Sequence, residues 1–143
     1  MKKLFIAAAM LVSLSSFAGP GVDEELERHF RETFPAANAI KWYDSKEGYE
    51  VFFTLNNIQC RIQYDADGTM KTMRRDYTKE SLPMFITGAV NKKYPGKKIF
   101  GVTELTTPSG LQYHIVLQDE KSWYFVDGTS GGDLSLNHKL HKN

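Results

Sequence analysis

One cysteine, Cys60, stands in a chain of 143 residues. No intramolecular disulfide can form even in an oxidising compartment, so packing must hold the fold. Neither charge dominates: 18 Lys and Arg face 17 Asp and Glu, and such a balance supplies no bulk field for nucleic acid. HExxH, CxxC and P-loop signatures are missing, so these motifs point to no enzyme, no cofactor and no metal. The N-terminal apolar run LFIAAAMLVSL, over residues 4–14, falls short of the roughly 20 residues that span a bilayer.

That run has a different reading. Lys2 and Lys3 precede it, and Ser16 and Ala18 put small residues at the −3 and −1 positions of a signal-peptidase site. Residues 1–18 are therefore expected to be a signal peptide, cleaved after Ala18, that sends the protein to the periplasm or outside the cell. No cysteine follows the run, which argues against a lipoprotein anchor. Cleavage removes two lysines and no acid, leaving 125 residues with a formal charge of −1. The product is expected to be soluble and not membrane-spanning, long enough for one domain or two small fused halves.

The remainder repeats itself. Leu26, Phe30 and Phe34 recur every four residues and make one apolar stripe on a helix that Pro35 stops. Sixty residues on, Ile86, Val90 and Tyr94 do the same before Pro95, and Val22 maps onto Leu82. Ser81 is the expected N-cap of the second helix, with Pro83 in its first turn and Lys92 and Lys93 in its last. Ile40 and Trp42 correspond to Phe100 and Val102 in a following strand. Period-two alternation then predicts strands with one buried face: Tyr49, Val51, Phe53 and Leu55 inward, matched by Leu111, Tyr113, Ile115 and Leu117. Ile58, Cys60, Ile62 and Tyr64 are matched by Tyr124 and Val126. Final strands are expected near residues 69–74 and 133–136. The expected class is α+β: two tandem helix-plus-antiparallel-strand units, residues 19–77 and 78–137, together one domain with both helices on one face. A C-terminal tail, residues 138–143, completes the chain.

Phe30, Phe34-Pro35, Ile40 and Trp42, followed by YEVFF (residues 49–53) and YDADG (residues 64–68), resemble the PepSY-like, β-lactamase-inhibitor-like domains, small exported proteins of Bacteroidetes-type bacteria. The resemblance covers residues 22–136, less sharply in the second half, where Val102 stands in place of the Trp and VDGTSGGD in place of YDADG. It implies a fold like that of the β-lactamase inhibitor protein, with the strands of two tandem units forming one curved sheet and the helices on one side. It also implies an open sheet face, the surface with which that inhibitor binds β-lactamase. The shared motif contains no inhibitory residue to carry over.

If helices cover one face, the outward residues decide function. The first half offers Glu50, Phe52, Thr54, Gln59, Arg61 and Gln63, a solvated face with one aromatic. The second offers Gln112, His114, Val116, Trp123 and Phe125. Such an apolar set on one open face is what soluble monomers usually avoid. Phe52, His114, Val116, Trp123 and Phe125 are therefore the candidate binding residues, unless a loop, the tail or the other half covers them. The expected role is a non-enzymatic exported binding module, a partner or inhibitor of a secreted or periplasmic enzyme. The alternative is a small-ligand or peptide carrier of the cell envelope. The expected partner is thus a protein, peptide or small-molecule ligand, not nucleic acid.

Other groups read more simply as structure. His138 and His141 offer only two metal ligands where zinc needs three or four. DADG (residues 65–68) has its glycine too early for a calcium loop and is expected to be a hairpin turn. Cys60 reads as a buried thiol, on the opposite face from His114. Lys92, Lys93, Lys97 and Lys98, and the basic pair in MRRDY (residues 73–77), read as solvated charge.

Overall fold

Asp23 opens the first helix in the computed structural model, which describes residues 22–143; the expected signal peptide lies outside them. The Asp23 side chain accepts from the Glu25 N–H at 2.9 Å, and three glutamates fill the first turn of α1 (Glu24–Thr33), where acids suit the helix dipole. Four strands follow, β1 (Asn38–Ser45), β2 (Gly48–Leu55), β3 (Ile58–Asp65) and β4 (Met70–Tyr77), then α2 (Met84–Lys93) and β5 (Lys98–Thr107), β6 (Gly110–Gln118), β7 (Ser122–Thr129) and β8 (Leu134–His141). Every strand pairs antiparallel with its neighbour in sequence, giving one eight-stranded sheet in the order β1 to β8.

Register places both helices on one face. Cys60, Arg75, Glu104, Tyr113, Gly128 and Leu134 form one row across β3 to β8, and directly paired residues point to the same side. Leu26 and Phe30 of α1 bury against Val51, Phe53, Cys60, Ile62 and Tyr64. Ile86 and Val90 of α2, with Leu82, bury against Val102, Tyr113, Ile115, Leu117 and Val126. Every inward strand residue expected from alternation lies in or against one of these two cores. The hairpin turns follow local chemistry. Asn56 and Asn57 both take positive φ, 50° and 64°, as a tight hairpin requires. The Asp65 carboxylate accepts from the Asp67 and Thr69 N–H groups at 3.2 and 3.0 Å, so DADG is a turn.

Several expectations need correction. Ser81 does not cap α2: residues 79–81 form a single 3-10 turn, and Pro83 holds the N-cap position. Proline supplies no side-chain cap and pre-sets φ for the helix that follows. Phe100 does not repeat the half-buried setting of Ile40. A bulge between Ile99 and Gly101 shifts the register, so Ile99 packs on the core while Phe100 stays 58% exposed; an extra residue in one strand reverses the sides of those around it. The final strand does not stop at Leu136, because residues 134–141 pair along β7. Most of the expected tail is therefore a sheet edge.

Candidate functional site

The face away from the helices is a row-by-row product of the same register. Asp76, Thr103, His114, Asp127 and Ser135 lie across β4 to β8 in one row, and Lys98, Gln118, Trp123 and Leu140 across β5 to β8 in another. Phe52 and Arg61 pair across β2 and β3 on this side, as do Val116 and Phe125 across β6 and β7. Phe52, His114, Val116, Trp123 and Phe125 thus share one face, spread over three strands.

Charge at the centre of this face is satisfied internally. Arg61 is ion-paired with Glu50, which also accepts from Gln63 at 3.3 Å. The Arg74 guanidinium donates to both oxygens of Asp76 at 2.9 to 3.2 Å, and the Thr103 hydroxyl donates to Asp76 at 2.6 Å. His114 Nδ1 lies 2.7 Å from Asp127 Oδ1, and Asn137 donates to the other oxygen at 2.9 Å.

Aromatic groups flank that band. On one side Tyr43 and Phe52 meet edge to face with centroids 5.5 Å apart, and the Arg61 guanidinium lies 5.3 Å from the Phe52 ring. On the other, Phe100 meets Trp123 edge to face at 4.8 Å, and His138 stacks on Phe125 at 4.1 Å with the planes 8° apart. The Lys142 ammonium stands 4.4 Å from the Trp123 ring centroid. The chain's own C-terminal segment therefore covers part of Trp123 and Phe125, leaving both half-buried, while Phe100 and Leu140 remain 58% and 51% exposed.

Sequence reasoning missed Tyr43, Phe100, His138, Leu140 and Lys142 on this face. Phe100 owes its side to the bulge, which alternation cannot foresee, and the last three needed β8 to run on. Strand geometry also separates His138, opposite Phe125, from His141, opposite Ser122; an odd spacing in a strand puts the two on opposite sides. Gly128, Thr129, Ser130, Gly131 and Gly132 also spell GxSxG. They lie at the end of β7 and in the turn to β8, without the strand-to-helix elbow that exposes a nucleophilic serine. Cys60 is buried and faces the helices, away from His114. Burial pushes its thiol pKa up, with the nearby Arg75 charge only partly opposing.

This arrangement can be compared with known proteins. No family model matches the chain, and no curated protein matches it in sequence. Solved structures do match in shape. A BLIP-like protein from Bacteroides fragilis superposes with a TM-score of 0.66 at 16% identity, covering 87% of this chain and 89% of that one. The fold is BLIP-like. A DUF2874 family protein from Bacteroides ovatus shares this BLIP-like fold with a TM-score of 0.64 at 17% identity, over 86% and 89% of the two chains. A candidate periplasmic protein from Bacteroides eggerthii does so with a TM-score of 0.62 at 17% identity, over 85% and 89%. No described helix is long and apolar enough to cross a membrane.

Three carboxyls tie this BLIP-like sheet to pH. Burial opposes ionisation of Asp76, but the hydrogen bonds from Arg74 and Thr103 and the Arg74 charge outweigh it and hold the carboxyl below the usual range. Asp127 is lowered first by its hydrogen bond from Asn137, against burial, and then by His114. Asp119, beside β7, is lowered furthest, first by the Tyr124 hydroxyl that donates to it at 2.7 Å, then by the Lys121 N–H. A carboxyl that titrates lower in the fold than in the unfolded chain adds stability that is complete above the ordinary aspartate range and lost as pH falls through the depressed value. Urea midpoints should accordingly hold level from pH 7 to about 5 and fall below about pH 4. Asp119→Asn should make that acid fall shallower. An unchanged acid limb in the variant would show that Asp119 carries none of it.

Proposed function

We propose that this chain is a non-enzymatic, exported binding module that docks a protein of the cell envelope on its open sheet face. The observation that carries the reading is the cluster of Phe100, Trp123, Phe125 and Leu140 on a face that no described helix covers. Aromatic anchors of this kind, set beside a charged band already satisfied within the fold, are what a protein interface offers its partner. The signal-like N-terminus and the likeness to a candidate periplasmic protein support the location. Inhibition of a secreted or periplasmic enzyme is the form of binding that the resemblance to the β-lactamase inhibitor favours.

The two-unit origin belongs to the same reading, with units at residues 19–77 and 78–137. Both helices have ten residues, and both end in an aromatic cap, Phe34 and Tyr94, at φ −123° and −125° with ψ 65° in each. Each cap N–H donates to the carbonyl four residues back, and a bulge follows early in the next strand of both halves. Shared irregularities at a shared spacing support duplication better than shared hydrophobicity does. Duplication leaves each unit with one uncovered sheet face, and joining the units widens that face into a contact surface.

The test is a pull-down from the native envelope with Trp123→Ala plus Phe125→Ala as the comparison. The double variant should keep its circular dichroism and lose the captured protein, since truncating anchor residues costs about 2 kcal/mol or more each. If it unfolds instead, the two rings are core and the reading falls.

A further inference from the structure

The cations of this protein divide into two kinds. All five arginines are engaged in internal ion pairs: Arg28–Glu32, Arg31–Glu27, Arg61–Glu50, Arg74–Asp76 and Arg75–Glu104. All five also precede residue 78, where the chain from residue 19 carries eight bases against eleven acids. Residues 78–143 carry eight lysines against six acids. Five of those lysines, at 97, 98, 121, 139 and 142, converge where β5 begins, β6 turns into β7 and β8 ends. Lys97 pairs with Asp119 at 3.3 Å. Among the described residues the other four pair with no carboxylate.

One of these is held over an aromatic ring of the open face. Lys142 donates to Gln118 Oε1 at 3.0 Å and to the Asp119 carbonyl at 2.7 Å, neutral acceptors that fix its ammonium over Trp123 without cancelling its charge. Lys139 stands 5.1 Å from the Tyr124 ring but on the helix side of the sheet, in the row of buried Leu117, so it is not part of the open face. Lys98 shares a row with Trp123 and Leu140. An apolar floor of Trp123, Phe100 and Leu140 thus has Lys98 and Lys142 on its own face, with Lys121 beside Lys98 in the turn from β6 to β7.

We infer that this end of the open face docks an acidic protein segment in which carboxylates flank an apolar side chain. The inference rests on the open-face reading above and adds the chemistry of the partner. Carboxylates would reach Lys98, Lys121 and Lys142 while the apolar group covers the exposed edges of Phe100 and Leu140. A phosphate-rich partner fits less well. Arginine is the residue suited to forked phosphate recognition, every arginine is already engaged, and the near-neutral chain lacks the bulk field that draws a polyanion.

Trp123 reports on its own patch, Trp42 being half-buried against the other core. The probe is a synthetic peptide alternating Asp and Glu with Leu and Phe, compared with the same peptide carrying Asn and Gln for the acids. The acidic peptide should shift tryptophan emission, and its affinity should fall about tenfold between about 50 and 300 mM salt as screening sets in. Trp123→Phe should abolish the optical signal while calorimetry still records binding. The triple variant Lys98→Glu, Lys121→Glu, Lys142→Glu should stay folded and lose at least about tenfold in affinity. Equal binding of the two peptides would overturn the acidic preference but leave the open-face reading standing. So would capture of the same envelope protein by the charge-reversed triple variant, whereas loss of open-face docking itself is read from the Trp123 and Phe125 double variant. Emission shifted by phosphatidylglycerol vesicles and not by the acidic peptide would overturn the inference in favour of a lipid surface.

Discussion

Phe30→Ala should cost about 3–5 kcal/mol, lowering the melting temperature by roughly 10–20 °C in a domain of this size. Phe30 is 2% exposed, and its ring meets Phe34 at 5.4 Å, Trp42 at 5.3 Å and Phe53 at 4.9 Å. Those three come from the end of α1, from β1 and from β2, so one side chain ties a helix to two strands. Removing it leaves a hole that rigid rings cannot close, and the cavity then adds to the lost transfer energy. Against a total stability of about 5–15 kcal/mol, the variant stands near the limit of folding. Thermal melts followed by circular dichroism check this, with near-ultraviolet signal reporting on Trp42. A loss below about 1 kcal/mol would mean that the first core does not depend on this residue.

The second large effect lies at the seam between the halves. β4 and β5 meet there, and Glu104, 9% exposed, accepts from Arg75 Nη1 at 3.1 Å and from the Tyr77 hydroxyl at 2.6 Å. The Glu104 carboxylate and burial together push the Tyr77 phenol far above its ordinary pKa, burial being the larger cause. Glu104→Ala should cost about 2–3 kcal/mol, because it strands a guanidinium and a phenol that had one shared acceptor. Arg75 keeps a third of its side chain in water, which holds the loss below that of a fully buried pair. Arg75→Met added to Glu104→Ala should recover part of the loss, since two apolar groups leave no unpaired charge behind. A double-variant cycle by urea denaturation measures this coupling, and strict additivity would show that the two residues do not interact.

The open face and the seam differ in kind. Across the open face, ion pairs such as Arg74–Asp76 are half-exposed and contribute little to stability, so variation there should alter contacts more than folding. The seam is on the helix side, between the two cores, and should show the reverse.

Alternation of apolar residues set the faces of β2, β3, β6 and β7, and therefore which of Phe52, His114, Val116, Trp123 and Phe125 could share a surface. It works because a strand whose one face is buried cannot slip by a single residue without exposing its core. Helix stops at Pro35 and Pro95 were equally legible, since a proline cannot continue the hydrogen-bond ladder. The bulge before Gly101 and the length of β8 were not. A bulge is an accommodation between two strands and leaves no periodic trace in either. LSLNHKLH is mostly exposed and becomes a strand because β7 offers it a row of hydrogen-bond partners. Those two features put Phe100, His138, Leu140 and Lys142 around Trp123 and Phe125. Local patterning thus decided which side of the sheet is open, and pairing between distant strands decided what that side presents.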